Sequence, residues 1–279
     1  MTISKQTLSG ERPLYNSQDL HLEQVTIGEG ESGLKECRRI DADDCRFSGQ
    51  YILWEAEDIT CRQCTFEAPS RASLWYVRRL RMNDCTVHSP KAFREMDNFR
   101  LDRLRITNSD ETFWACRNGQ ITDLDMESGI YPFMHSAYLQ INSLRLNAKY
   151  AFQYARNIEI HQAVITTKDA FWESDNCTVY DSEIHGEYLA WYSRNLRLVR
   201  CHISGTQPLC YCENLVLEDC TFAPDADLAF EYSSLEATIN SAVTSIKNPR
   251  SGHITCCGCG EIIRDNNAKA PDNCTIVCR

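Results

Sequence analysis

Tyr154, Glu173, Tyr192 and Tyr211 follow one another at intervals of 19 residues, and Asp175 stands two places beyond Glu173. Carboxylates at such a period can grip hydroxyls or exchange protons with a reacting group, and phenol rings can stack on the apolar faces of sugars. His135 and Glu95 precede them at related intervals, Glu231 follows, and Phe152 and Phe171 lie two residues before Tyr154 and Glu173. The expected assignment makes Glu173, Asp175 and His135 catalytic. Tyr154, Tyr192, Tyr211, Glu231, Glu95, Phe152 and Phe171 would then hold the substrate. A plainer account stands beside it: aromatic ladders stabilise a repeat fold unaided, Glu keeps a face soluble, and a lone His is commonly a hydrogen-bonded surface group.

These residues meet only if the chain brings its own period into register. Leu20, Leu22, Val25 and Ile27 alternate, skip two places and alternate again, which describes two short strands around a sharp bend. The pattern returns at Ile40, Ile59, Leu80, Phe99, Gly119, Leu139, Ile158, Cys177, Leu196, Leu215 and Leu235, with starts 19 to 21 residues apart. Apolar spacing of three and four, needed for a helical solenoid, is missing, and so is the six-residue subperiod of a left-handed β-helix. The expected fold is therefore all-β, a single-stranded right-handed parallel β-helix of pectin-lyase-like type with about twelve turns. Its helix covers 20–242, with an N-terminal cap over 1–19 and a C-terminal cap or tail over 243–279, all one domain. Side chains one coil apart would lie about 5 Å apart and those two coils apart about 9.6 Å, which brackets the carboxylate separations of retaining and inverting glycosidases. Glu55 and Glu95, like His135 and Glu173, are two coils apart.

Several columns have structural explanations. The residue before the repeat start is Asn at 98, 118, 157, 176, 195 and 214. Asparagine tolerates left-handed backbone and its amides can bond along a stack, giving an asparagine ladder. Cys45, Cys64, Cys85, Cys201 and Cys220 share a column with Val25 and Leu104 and act as small core fillers. Cys61 and Cys64 have half of a zinc spacing, but both face inward. The cluster Cys256, Cys257, Cys259, Cys274 and Cys278 lies outside the regular repeat, so metal binding or redox chemistry competes there with loop packing.

In the closing segment of each coil, strand alternation would set Leu53, Phe93, Phe113, Phe152 and Phe171 on the same face as Glu55, Glu95, Tyr154 and Glu173. Trp54, Trp75, Trp114, Trp172 and Trp191 share parity with small residues such as Ala56, Cys116 and Ser174, which suit an interior. The expectation is Trp inside, with Phe and the Glu/Tyr/His column forming an exposed strip.

A net charge of −10 disfavours nucleic acid and anionic membranes as partners. Arg71, Arg78, Arg79, Arg81, Arg94, Arg100, Arg103 and Arg105 crowd one stretch, readable as a basic patch or, with interleaved acids, as an ion-paired face. Thr2 to Asn16 is mixed polar, which leads to an expected cytoplasmic location with reduced thiols despite 16 cysteines. No cofactor and no metal are expected. An oligosaccharide or other small molecule is the expected partner, and a homo-oligomer packing through the strip is an alternative.

The segments Phe171-Trp172-Glu173-Ser174-Asp175-Asn176, Gly186-Glu187-Tyr188-Leu189-Ala190-Trp191-Tyr192-Ser193, Leu228-Ala229-Phe230-Glu231-Tyr232-Ser233 and Ser245-Ile246-Lys247-Asn248-Pro249 resemble a bacterial family catalogued as a domain of unknown function. The resemblance covers most of the chain, is densest from about 150 to 264, and implies a pectate-lyase-like β-helix without implying a reaction. The paired aspartates and calcium-binding clusters of pectin-degrading enzymes are not recognisable. The functional expectation is a carbohydrate-active enzyme, a lyase, hydrolase or isomerase. A non-catalytic glycan- or protein-binding module and a structural or assembly protein are the alternatives.

Overall fold

The structure is a computed structural model that describes residues 1–269 and 273–279. Its regular elements are β-strands paired in parallel, forming a β-solenoid of about 14 turns. The chain divides into two compact units, Met1–Ser143 and Leu144–Arg279. In the first, Leu20 pairs with Ile40, Ile40 with Ile59, Ile59 with Leu80, Leu80 with Phe99 and Phe99 with Gly119. In the second, one file runs Ile160, Val179, Leu198, Leu217, Ala237, Ile254 and Ile276. Period-two alternation therefore delivers one residue per coil to the same core position.

Packing within a file is adjusted by size. Gly119 is the one glycine among the repeat starts, and a Cβ there would lie 2.2 Å from Cζ of Phe99. The Phe99 ring fills the room that glycine leaves.

The stretches expected to cap the helix pair in parallel with the strands next to them. Thr2–Ser4 pairs with His21–Glu23, and Thr7–Glu11 pairs with Thr26–Glu31. At the other end Ser251–Ile263 pairs with Ser234–Lys247, and Asn273–Cys278 pairs with Ser251–Cys256.

The closing segment departs from strand geometry, which corrects the expected facing of its side chains. Tyr51, Leu53 and Glu55 have φ of 57, 59 and 56°, and Lys91, Phe93 and Glu95 repeat this with 57, 59 and 50°. Left-handed backbone at every second residue breaks the period-two rule. The order becomes two side chains in, two out and one in: Ile52 and Leu53 are buried, Trp54 and Glu55 face outward, and Ala56 is buried. Phe93, Phe113, Phe133, Phe152 and Phe171 are accordingly fully buried, and Trp54, Trp75, Trp114, Trp172 and Trp191 are half-buried at the surface. Phe93, Phe113 and Phe133 stack with centroids 4.7 Å apart, and Phe152 and Phe171 with 4.8 Å. Burying each ring contributes on the order of 2–3 kcal/mol, which outweighs a cost of about 1–2 kcal/mol for its left-handed backbone.

The αL positions at the start of each repeat's first strand carry the ladder read from the sequence. Asn176 Nδ2 donates to Asn157 Oδ1 at 2.6 Å, and Asn214 Nδ2 to Asn195 Oδ1 at 3.2 Å. In the first unit the same column holds Asp19 with Arg39 and Asp58 with Arg79, as ion pairs. Cys45, Cys64, Cys85, Cys201 and Cys220 are buried free thiols. Each also donates to a carbonyl of the preceding coil, as Cys64 does to Ala42 O at 3.4 Å and Cys220 to Leu198 O at 3.3 Å. A thiol at the bend thus fills space and supplies a weak donor to a core carbonyl.

Candidate functional site

Where the closing segment meets the next strand, each coil places one side chain outward, a small one inward and a second outward. In the second unit these triplets are Tyr154-Ala155-Arg156, Glu173-Ser174-Asp175, Tyr192-Ser193-Arg194 and Tyr211-Cys212-Glu213. Two outward columns flanking a column of small inward residues leave a furrow between them. The resulting groove of about 420 Å³ is lined by Tyr154, Arg156, Glu173, Ser174, Asp175, Tyr192, Arg194, Tyr211 and Glu213. Backbone bonds between coils hold the spacing: Tyr154 N–H donates to Trp172 O at 2.8 Å, and Glu173 N–H to Trp191 O at 2.9 Å.

The first column presents rings and one carboxylate. Tyr192 is 46 % exposed and stacks on Tyr211 with centroids 4.8 Å apart and planes 14° from parallel. Trp172 lies 5.4 Å from Tyr192, and its indole N–H donates to Glu173 Oε1 at 3.3 Å. Burial, and next the Glu231 carboxylate, push the Tyr211 phenol up to about 12. At neutral pH that hydroxyl is therefore a donor and not a base.

The second column alternates in sign: Arg156, Asp175, Arg194 and Glu213 are joined in sequence by parallel bridges. Arg194 Nε lies 3.4 Å from Glu213 Oε2, and Asn195 Nδ2 donates to Asp175 Oδ1 at 2.9 Å. The first unit repeats the alternation as Arg38, Glu57, Arg78, Asp97 and Arg117, with Arg38–Glu57 at 3.6 Å and Arg117–Asp97 at 3.7 Å. Asp175 thus stands in a column of alternating charge and is held by Asn195.

Of the residues expected at the site, the groove gathers Glu173, Asp175, Tyr154, Tyr192 and Tyr211. Phe152 and Phe171 do not line it, because the αL backbone turns both rings into the core. Glu231 does not line it either. The interval lengthens there from 19 to 21 residues, so Tyr232 takes the αL position below Tyr211, with ring centroids 5.7 Å apart. Glu231 is 9 % exposed and pairs with Lys247 Nζ at 3.0 Å, while Tyr211 Oη donates to its Oε2 at 3.3 Å. His135 and Glu95 belong to the first unit, where both are exposed and His135 meets Trp114 edge-on at 6.0 Å. Arg156, Arg194, Glu213 and Ser174 were not among the expected residues. For the charged three the signal was a sign change at every repeat of one column.

Among the described residues one group of potential metal ligands gathers, His21, Asp41 and Asp43. Arg62 already bridges both aspartates, from Nη2 to Asp41 Oδ1 at 2.5 Å and from Nε to Asp43 Oδ1 at 2.6 Å, which makes it a surface ion cluster. The arginine-rich stretch is ion-paired in the same way, Arg79 with Asp58 and Glu57, Arg103 with Asp84 and Asp102, and Arg105 with Glu127.

The family model described as Protein of unknown function (DUF3737) matches residues 1–277, and the chain belongs to that family. No curated protein matches it.

Proposed function

We propose that the furrow of the second unit binds an oligosaccharide and that Glu173 exchanges a proton with it, making the chain a carbohydrate-active enzyme. The observation that carries this reading is the gathering of three tyrosines, an exposed carboxylate and two guanidinium groups in one groove. Tyrosine rings offer stacking surface for pyranose faces, and Arg156 and Arg194 offer paired donors for ring hydroxyls or a sugar carboxylate. Asp175 and Glu213 alternate with arginines, whereas Glu173 stands in the column of rings, so it is the groove carboxylate best suited to act as acid or base. One such carboxylate, with Tyr154 and Tyr192 on the adjoining coils, suits elimination or epimerisation, which need one base and one donor. Hydrolysis by a carboxylate pair fits less well. The same reading takes the coil to be right-handed, the hand of nearly all parallel strand–connection–strand units, and akin in architecture to pectate-lyase-like helices.

A second reading, recognition of a glycan without turnover, is favoured by the place of Asp175 in the column of alternating charge, where Asn195 holds it. Mass spectrometry of neutral and uronate-containing oligosaccharides incubated with the wild type and with Glu173→Gln separates the two. Turnover that Glu173→Gln abolishes, with binding retained, supports the enzyme. Binding without product from any substrate leaves the second reading, and absence of binding sinks both.

A further inference from the structure

Two of the cysteines that the sequence pattern places outside the repeat, Cys256 and Cys278, continue the file of Cys220. Cys220 pairs with Ile239, Ile239 with Cys256 and Cys256 with Cys278. The Cys256 and Cys278 sulfurs lie 3.8 Å apart on directly opposed residues of adjacent parallel strands. Opposed residues at the strand spacing have Cα atoms about 4.8 Å apart, inside the range that a disulfide spans. The pair differs from every thiol deeper in the file. Cys45, Cys64, Cys85, Cys201 and Cys220 are all buried, closed off from any oxidant in solution. Cys256 is buried at 1 % exposure, but Cys278 is exposed.

We infer that Cys256 and Cys278 form a reversible disulfide that fastens the strand Asn273–Cys278 to the strand Ser251–Ile263, and that a small-molecule disulfide such as oxidised glutathione is the oxidant. The exposed Cys278 thiolate attacks one sulfur of oxidised glutathione, forming the Cys278–glutathione mixed disulfide and expelling one glutathione thiolate. The Cys256 thiol then loses its proton to solvent and attacks the Cys278 sulfur. The protein disulfide forms and the second glutathione thiolate leaves. Two protein thiols are oxidised, one oxidised glutathione is reduced to two glutathiones, and each thiolate released takes up a proton. Burial pushes the Cys256 thiol up to about 11, so this second step accelerates with pH in the alkaline range.

The bond closes a loop that includes the connection between the two strands, and so removes freedom from the unfolded chain. Cys257, Cys259 and Cys274 are close in sequence but have different strand positions, and Cys274 pairs with Gly252.

The full chain is equilibrated with glutathione buffers of graded oxidation at pH 8, alkylated, digested without reduction and sequenced by fragmentation mass spectrometry. The expected product is a Cys256–Cys278 linked peptide lighter by two hydrogens than the reduced pair. It persists in a Cys257→Ser/Cys259→Ser/Cys274→Ser variant and is absent in Cys278→Ser. Oxidation should raise Tm by on the order of 5 °C in the wild type and leave it unchanged in Cys278→Ser. A Cys278–glutathione adduct that never resolves, or a link from Cys278 to Cys257 or Cys259, overturns the inference. Cys256→Ala, which keeps an apolar core, should stop the reaction at the glutathione adduct, and a Tm rise on oxidation in that variant would count against it.

Discussion

In the first unit the outward column of the closing segment runs Lys35, Trp54, Trp75, Arg94 and Trp114; in the second it holds Trp172 and Trp191 beside Tyr192 and Tyr211. In the first, Trp54 and Trp75 stack 5.1 Å apart, and Arg94 lies between Trp75 and Trp114 at 4.5 and 5.0 Å from their centroids. Lys35 covers the far ring at 5.9 Å. The indole N–H groups of Trp54 and Trp75 donate to the carbonyls of Ala72 and Lys91. Ring faces and donors there are taken up by the protein itself. In the second unit Trp191 meets Tyr211 edge-on at 5.2 Å, and the tyrosines stand beside Glu173 and the arginines of a groove. The same backbone thus carries a ladder of indoles and cations in one unit and, in the other, a ladder of indoles and tyrosines that borders a furrow. What differs is that Arg94 lies between two of the rings in the first unit, whereas Tyr192 and Tyr211 stand beside the carboxylate and guanidinium groups of a groove in the second.

Substitutions in the core should fail to distinguish the two units. Phe113→Ala and Phe171→Ala remove fully buried rings of equivalent position, and each is expected to cost about 3–5 kcal/mol in denaturant unfolding. A Phe171→Ala protein of normal stability would return Phe171 to the surface strip and undo the account of the αL segment. On the outward face the effects should diverge. Tyr192→Ala is expected to weaken oligosaccharide binding at least about tenfold, or about 1.4 kcal/mol, by titration calorimetry, with little change in Tm. Arg94→Ala should do the reverse, lowering stability by about 1 kcal/mol through loss of its place between two indoles and leaving binding intact.

Alkaline titration sharpens the description of the furrow. Because the Tyr211 phenol lies above its ordinary value, its contribution to stability is complete below pH about 10 and is lost as pH rises towards 12. The ultraviolet difference between wild type and Tyr211→Phe should show that one tyrosinate appearing late, near pH 12. The smallest effect belongs to the charge ladder. Asp97→Asn, beside Arg78 and Arg117, should cost a few tenths of a kcal/mol, about 0.5 at most, and high salt should erase the difference.

The coil period and the core files were legible from Leu20, Ile40, Ile59 and Leu80, because strand alternation translates directly into burial. Facing in the closing segment was not, because the rule used for it holds only for extended backbone. A signal was nonetheless present. Among the described residues none of the non-glycine residues with positive φ is Val, Ile or Thr, the types that the true strand columns favour and left-handed backbone excludes. Glu231 was misplaced because the interval from Tyr211 to the next αL position, Tyr232, is 21 residues where the preceding ones are 19, which the repeat starts alone do not show. Half of the expected site residues meet in the groove, five of ten, since spacing fixes a column but not the direction of a side chain after an αL turn.

The central claim is that ligand recognition belongs to the tyrosine furrow and not to the tryptophan–arginine ladder. It is tested most directly by binding of wild type, Tyr192→Ala and Trp75→Ala to one array of neutral and uronate-containing oligosaccharides. The account predicts the same bound glycans for wild type and Trp75→Ala and their loss in Tyr192→Ala. Undiminished binding by Tyr192→Ala, or loss confined to Trp75→Ala, would contradict it.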